Sequence, residues 1–456
     1  MDPIRNPYAP GAGTQPPELV GRDEIREFAR IALERTKIGR PTKNMVLVGL
    51  RGVGKTVLLD RIREEAEARG GYALRIEAPE DRSLPAMLAP QLRVALLKLS
   101  RKEAAKQLAQ RALSGLAGFV GALKVKYQDI EVGLDFDPEP GLADNGDLET
   151  DLQELFEVVG AAAKAGASCL ALFVDELQYV QEDQLAALVT ALHRTAQRRL
   201  PIVMFGAGLP QVRGRMGRAK SYAERLFELP EIGPLSSEEA KLAIAKPARD
   251  EGVEIEPPAL DAIVSQTECY PYFLQEWGKH VWDVAERSPI TTINVEIATE
   301  QTIADLDQSF FLVRFDRLTP TEKRYLRAMA QLGAGPHRSG DIAQVLSRPV
   351  TSLAPTRSQL INKGMIWSPS HGDTAFTVPM FDEFMLRTMP GAEWLSSNGP
   401  PQHRPPRPFA KPKSDRVAVK ASDHLRDEVI KSLGMMAYEL RCNIMMSGIA
   451  GSEATW

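Results

Sequence analysis

Short apolar runs, spaced by amphipathic stretches, set the frame of this chain. Residues 45–48, 169–174 and 201–205 are built almost wholly from Met, Val, Leu, Ala, Ile and Phe, the pattern of strands buried on both faces of a parallel sheet. Residues 72–77 read as a further strand, after the Gly70-Gly71 stop signal. Between these runs, apolar residues recur at helical spacing over 24–36, from Val57, over 84–99, from Leu148 and over 183–199. Strand alternating with helix predicts an α/β domain, a parallel sheet with helices on both faces. From Ser236 the pattern changes to helices alone, over 236–250, 258–267, 272–286 and 294–311. Thr319-Pro320-Thr321-Glu322 then combines an N-cap, a first-turn proline and a capping glutamate, opening a helix to Leu332. A short helix over 339–346, a turn at 350–352, a helix ending at Gly364 and a hairpin over 365–378 follow. Helix, helix-turn-helix and hairpin together describe a winged helix.

Two stretches depart from this alternation. Residues 123–136 alternate apolar and polar positions, which predicts one or two exposed strands inserted between the second core strand and the next. Residues 135–151 are dense in carboxylates and glycines. They read either as a metal-binding loop, although the EF-hand order of ligands is absent, or as a solvated loop that supplies acidic groups to the helix opening at Leu148.

The first apolar run leads into Gly49-Leu50-Arg51-Gly52-Val53-Gly54-Lys55-Thr56, a full G-x-x-x-x-G-K-[ST] pattern between a strand and a helix. Glycines let the backbone wrap a phosphate chain, with its N–H groups and the helix N-terminus facing the anion. Lys55 reaches the outer phosphates of a bound ATP or ADP in this reading, and the Thr56 hydroxyl ligates Mg²⁺. The third apolar run ends in Asp175-Glu176, two adjacent carboxylates at the end of a buried strand, which is the Walker B pattern. Asp175 completes the metal site, and Glu176 orients and activates the attacking water.

Composition narrows the setting. At 456 residues the chain has room for two to four domains, and its 43% hydrophobic and 25% charged content is ordinary for a soluble globular protein. A net charge of -4 argues for neither a strong nucleic-acid field nor a membrane surface. Cys169, Cys269 and Cys442 lie far apart, as reduced thiols of a cytoplasmic protein would. The first seven residues lack an apolar h-region, and the most membrane-like run, 112–123, is too short to span a bilayer, so no membrane association is expected. Residues 398–413 are Pro-rich and basic, a linker composition, and 423–441 has one amphipathic helical face carrying Leu425, Val429, Leu433, Met436 and Leu440.

The leader segments Asn6-Pro7-Tyr8 and Pro17-Glu18-Leu19-Val20-Gly21-Arg22, the P-loop, Asp175-Glu176-Leu177-Gln178, Ser221-Tyr222-Ala223-Glu224-Arg225 and Val378-Pro379-Met380-Phe381-Asp382-Glu383-Phe384 together resemble a prokaryotic family of AAA/STAND-like ATPases. That family has an origin-recognition-like (AAA_16-type) ATPase domain, a helical lid and a C-terminal winged helix. The resemblance covers roughly residues 5–392 and implies the following layout: a leader with an adenine strap (1–23), a P-loop ATPase domain (24–230, with inserted helices and a hairpin at about 84–150), a lid (231–315), a winged helix (316–392), and a linker and tail (393–456). It places Val20, Gly21 and Arg22 near the adenine. Cys269-Tyr270-Pro271 resembles the lid turn whose proline packs on the nucleotide, though a plain helix N-terminus explains the same residues. Arg225 resembles an arginine finger acting in trans in a homo-oligomer; the alternative is an ion pair with Glu224 or Glu228. Relatives present a polar sensor where this chain has Gly206-Ala207-Gly208. Gln178 is the candidate substitute, and slow hydrolysis is the reading that follows.

The function expected is ATP hydrolysis used as a nucleotide-driven switch. Two alternatives stand beside it. One is ATP-gated DNA binding through residues 316–392, with Ser352, Thr356, Arg357, Gln359 and Lys363 facing the duplex. The other is a STAND-type signalling scaffold that oligomerises on ATP.

Overall fold

The computed structural model describes residues 1–395, apart from 12, 80, 132, 134 and 135. The linker and amphipathic helix expected beyond residue 396 lie outside the described residues.

The elements of the first half are α1 (Asp23–Lys37), β1 (Asn44–Val48), α2 (Lys55–Ala68), β2 (Tyr72–Glu77), α3 (Leu84–Leu99), α4 (Lys106–Leu123), α5 (Leu148–Ala165), β3 (Leu170–Asp175), α6 (Glu182–Gln197), β4 (Ile202–Gly208), α7 (Val212–Ala219), α8 (Ala223–Leu226) and β5 (Phe227–Glu228). The five strands form one parallel sheet in the order β2-β3-β4-β1-β5. Every residue of β1, β3 and β4 is buried, because helices cover both faces. Side chains divide by parity. Met45, Leu47, Ala171, Phe173, Val203 and Phe205 pack with Leu58, Leu59 and Ile62 of α2. Val46, Val48, Leu172, Val174 and Met204 pack against α3, α4, α5 and α6. Register aligns Glu77 with Asp175, Val174 with Gly206, and Val48 with Gly208. The carboxyl ends of the strands therefore share one edge, where open α/β sheets hold ligands.

The strands expected over 123–136 are not there. Among the described residues no strand lies between β2 and β3. Tyr127 N–H donates to Leu123 O at 2.8 Å and Ile130 N–H to Tyr127 O at 3.3 Å, so the backbone is spent on turns and has no ladder partner. The alternation records burial on one side only: Tyr127 and Ile130 tuck into the helical layer while Val125 is exposed. Asp129 accepts from Ser83 N at 2.7 Å and from Ser83 Oγ at 2.8 Å beside the start of α3. In the acidic stretch, Asp147 caps α5 by accepting from Thr150 N at 2.9 Å, and Asp151 accepts from Asn145 N and Gly146 N, both at 2.9 Å.

The second half contains α9 (Ser237–Asp250), α10 (Pro257–Thr267), α11 (Pro271–Val284), α12 (Thr292–Leu306), a π-turn at Asp307–Phe311, α13 (Leu312–Asp316), α14 (Pro320–Gln331), β6 (His337–Arg338), α15 (Ser339–Val345), α16 (Val350–Asn362), β7 (Ile366–Trp367), β8 (Asp373–Phe376) and α17 (Phe381–Thr388). Ser236 with Glu239, and Thr319 with Glu322, close the capping boxes that open α9 and α14. The turn expected at 350–352 is instead the first turn of α16, with Pro349 ahead of it as N-cap. The last three strands form an antiparallel sheet, β6-β8-β7. The extended leader is anchored on the helical half. Tyr8 is buried, its hydroxyl donates to Ile244 O, and Trp282 Nε1 donates to Asp2 O at 3.0 Å. Residues 1–8 are therefore tied to the helical half, with Tyr8 buried in it and Ile4 left exposed.

Candidate functional site

The P-loop joins β1 to α2 at the carboxyl edge of the sheet. Gly49 has no room for a side chain, since a Cβ would lie 2.1 Å from Ile232 O. Gly52 and Gly54 take φ of +82° and +87°, conformations that cost glycine least. Their wrap leaves Lys55 at the first turn of α2, its Nζ donating to Leu50 O at 2.7 Å. Burial pushes the Lys55 ammonium down to about 8, against the opposing pull of Glu176 and Asp175.

Thr56 Oγ1 donates to Asp175 Oδ2 at 2.6 Å, so the two proposed metal ligands, distant in sequence, meet. Burial raises the Asp175 carboxyl above its ordinary range, the Thr56 bond opposes this, and the neighbouring Glu176 charge adds to it. A buried carboxylate and a hydroxyl form the hard oxygen pair that Mg²⁺ takes beside phosphate oxygens, and a divalent cation would offset the burial of Asp175. These residues fit the ion.

Glu176 sits just past β3 at φ +53°, opening a 3₁₀ turn at Leu177–Tyr179. Gln178 holds it in place: its Nε2 donates to Glu176 Oε2, while its Oε1 accepts from Leu209 N at 3.0 Å. Arg215 of α7 donates to Gln178 O and Val180 O, bracing the same turn. No sequence motif marks Arg215.

The residues expected near an adenine lie against the start of α9 and the loop before it. Gly21 (φ +71°) faces the Glu239 carboxylate, which would sit 2.5 Å from a Cβ, and Arg22 Nη2 donates to Gly233 O at 2.6 Å. Burial lowers the Arg22 guanidinium, and Glu239 opposes that shift. Val20 packs on the apolar cluster shared with the lid. Pro271 stands at the start of α11, and the next residue makes the contact: Tyr272 N–H donates to Gly52 O at 3.1 Å. Cys269 takes φ +60°, in the left-handed region that favours glycine.

Two features were not visible in the sequence. Arg51 N–H donates to Thr377 O at 3.1 Å, so the last third of the chain touches the P-loop directly. Arg225 is exposed and makes none of the ion pairs weighed for it; Glu228 pairs instead with Lys43 at 2.7 Å. Because Phe227 pairs with Asn44 at the start of β1, Arg225 lies at the opposite end of the sheet from its own P-loop. Of the residues proposed to face DNA, Thr356 is buried. Arg357 bonds Thr374, Ser368 and Asp373, and Lys363 bonds the buried Glu322 at 2.8 Å.

Residues 18–205 match the AAA ATPase domain family, and residues 308–385 match a domain of unknown function (DUF8462). No curated protein matches the chain. Among solved structures, the chain is similar to the Walker-type ATPase Paby2304 of Pyrococcus abyssi, at 16% identity and a TM-score of 0.46, over 82% of this chain and 97% of that one. It is also similar to the RuvB Holliday junction branch migration motor of Thermotoga maritima (16%, TM-score 0.40, 78% and 92%). A third is the Orc1 protein of Aeropyrum pernix, solved in complex with DNA (16%, TM-score 0.42, 85% and 96%). Among the described residues no helix is long and apolar enough to cross a membrane.

Proposed function

We propose that this chain, which carries an AAA ATPase domain over residues 18–205, hydrolyses ATP with Mg²⁺ and uses its nucleotide state as a conformational switch. The observation that carries the reading is the 2.6 Å bond between Thr56 and Asp175, which brings together the two candidate metal ligands from the P-loop and the end of β3. Lys55 would bind the outer phosphates, and Thr56 and Asp175 would hold an ion that would supply charge neutralisation there. Glu176 takes the proton of the attacking water, positioned by Gln178. The switch follows from what touches the P-loop: the lid through Tyr272, and residues 308–385 through Thr377.

The test pairs two variants in equilibrium binding and turnover. Lys55→Ala is expected to lose Mg-ATP affinity. Glu176→Gln is expected to bind ATP as the wild type does while its turnover falls by about a hundredfold or more. A Lys55→Ala protein with undiminished affinity would sink the reading.

One observation favours a second reading, self-assembly. An exposed Arg225 at the far end of the sheet, with no ion pair among the described residues, is placed to serve a neighbouring copy, in keeping with a trans-acting finger or a STAND-type scaffold. DNA contact through residues 316–392, read as a winged helix, has less behind it, because Arg357 and Lys363 are spent inside that module. Retention on DNA that falls steeply with salt would restore it.

A further inference from the structure

The terminal-phosphate end of this site lacks a sensor on β4, and the structure shows why none fits there. Gly206, Ala207 and Gly208 are buried, and a Cβ on Gly208 would lie 2.6 Å from Val212 Cγ2 and 3.0 Å from Gln178 Oε1. Gln178, the substitute suggested by sequence, is used at both ends of its amide, on Glu176 and on Leu209 N. It positions Glu176, with one amide N–H on that carboxylate and its oxygen on the main chain of Leu209.

Arg51 is placed differently. Its Nη2 donates to the Tyr179 hydroxyl at 2.9 Å, and its Nη1 stops 3.7 Å from Glu176 Oε1, an attraction without a formed hydrogen bond. The guanidinium therefore lies at the end of β3, beside the water-activating carboxylate. On its other side stands the module of unknown function. Arg51 N–H is bonded to Thr377 O, and Gly364 (φ +64°) approaches so closely that a Cβ would lie 3.1 Å from Arg51 Nη2, 3.1 Å from Leu209 Cδ1 and 3.5 Å from Tyr179 Oη.

We propose that Arg51 reads the terminal phosphate from within the P-loop, in place of a β4 sensor, and passes the result to residues 308–385 through Thr377 and Gly364. A guanidinium binds phosphate oxygens in a bidentate fork, which outcompetes a carboxylate held 3.7 Å away. Movement of Arg51 onto the phosphate frees Glu176 from its cation and shifts the residue on which Gly364 rests. The charge around the site points the same way. Arg314, whose guanidinium lies 3.9 Å over the Phe310 ring, is pushed down to about 10 by burial and then by the Arg51 charge. An anion beside Arg51 relieves that repulsion.

This inference rests on the ATPase reading, and the experiment separates the two. Full-length wild type, Arg51→Ala and Arg51→Lys are titrated with Mg-ADP and with the non-hydrolysable imido analogue of ATP by calorimetry. Hydrogen exchange over residues 364–378 is followed with each nucleotide. Arg51→Ala is expected to lose about tenfold in affinity for the triphosphate analogue, with ADP affinity held within about twofold. The difference in exchange between the two nucleotides disappears in Arg51→Ala, and Arg51→Lys restores part of both effects. Equal loss for both nucleotides makes Arg51 a support of the loop and overturns the proposal. No loss for either overturns it too, as does a wild type whose exchange over 364–378 is the same with both nucleotides. A wild type that binds neither nucleotide refutes the ATPase reading itself, and this inference with it.

Discussion

At the scale of single residues, the consequential group is Lys55. Its ammonium is buried and pushed down to about 8, so the nucleotide-free protein loses that proton within an accessible pH range. A polyphosphate in the loop favours the charged form and raises the value again. Below about 8 Lys55 is already charged and affinity is flat. Above it, binding must take up a proton, and affinity falls by up to about tenfold per pH unit. Calorimetry of Mg-ATP binding from pH 7 to 9.5, in buffers of different ionisation enthalpy, is expected to show proton uptake appearing near pH 8. Absence of uptake at pH 9 would mean that the ammonium is not desolvated. Gly49 makes the second residue-scale prediction. Gly49→Ala forces a methyl to within 2.1 Å of Ile232 O, a main-chain atom that cannot rotate away. The expected cost is about 1–3 kcal/mol, read as a lowered urea midpoint.

At the scale of elements, the sequence was informative wherever local chemistry decides structure. The Gly-rich loop, the buried runs of β1, β3 and β4 and the two capping boxes are each specified by residues close together in the chain. The alternation over 123–136 measures one-sided burial, which a coil lying on α3–α5 produces as readily as a strand does. Contacts such as Thr377 to Arg51, or Arg215 to the turn after β3, join residues far apart in sequence and leave no periodic trace. The leader is the same kind of case: its proline and glycine content suggests an extended segment, but not that Tyr8 fits over Gly278, where a Cβ would lie 2.7 Å from the ring. Tyr8→Ala removes a buried ring and its bond to Ile244 O, and is expected to destabilise the helical half by about 3 kcal/mol. Tyr8→Phe, which loses only the hydrogen bond, is expected to cost about 1 kcal/mol. Chemical denaturation followed by fluorescence of Trp277 and Trp282 checks both, and equal small effects would mean the leader adds little.

At the scale of the whole molecule, Arg225 carries the prediction. It lies at the end of the sheet away from its own P-loop, so a role in catalysis requires a second copy. Light scattering of Glu176→Gln with and without ATP is expected to show a larger species with ATP, and Arg225→Ala in the otherwise wild-type chain is expected to slow turnover without lowering ATP affinity. A monomer under both conditions, with Arg225→Ala fully active, would leave Arg225 a surface residue.

One apolar cluster runs without a break from Leu33 and Phe173 under the sheet, through Trp277 and Trp282 of α11, to Phe311, Phe381 and Trp394 near the end of the described chain. Swinging α11 away like a door on a hinge would pull this cluster apart and expose two buried tryptophans at once. Motion that keeps such a core covered is sliding, helix over helix by an ångström or two. Nucleotide-dependent change in this protein is therefore expected as a graded shift of many side chains, with little change in radius of gyration, and small-angle scattering alone would miss it.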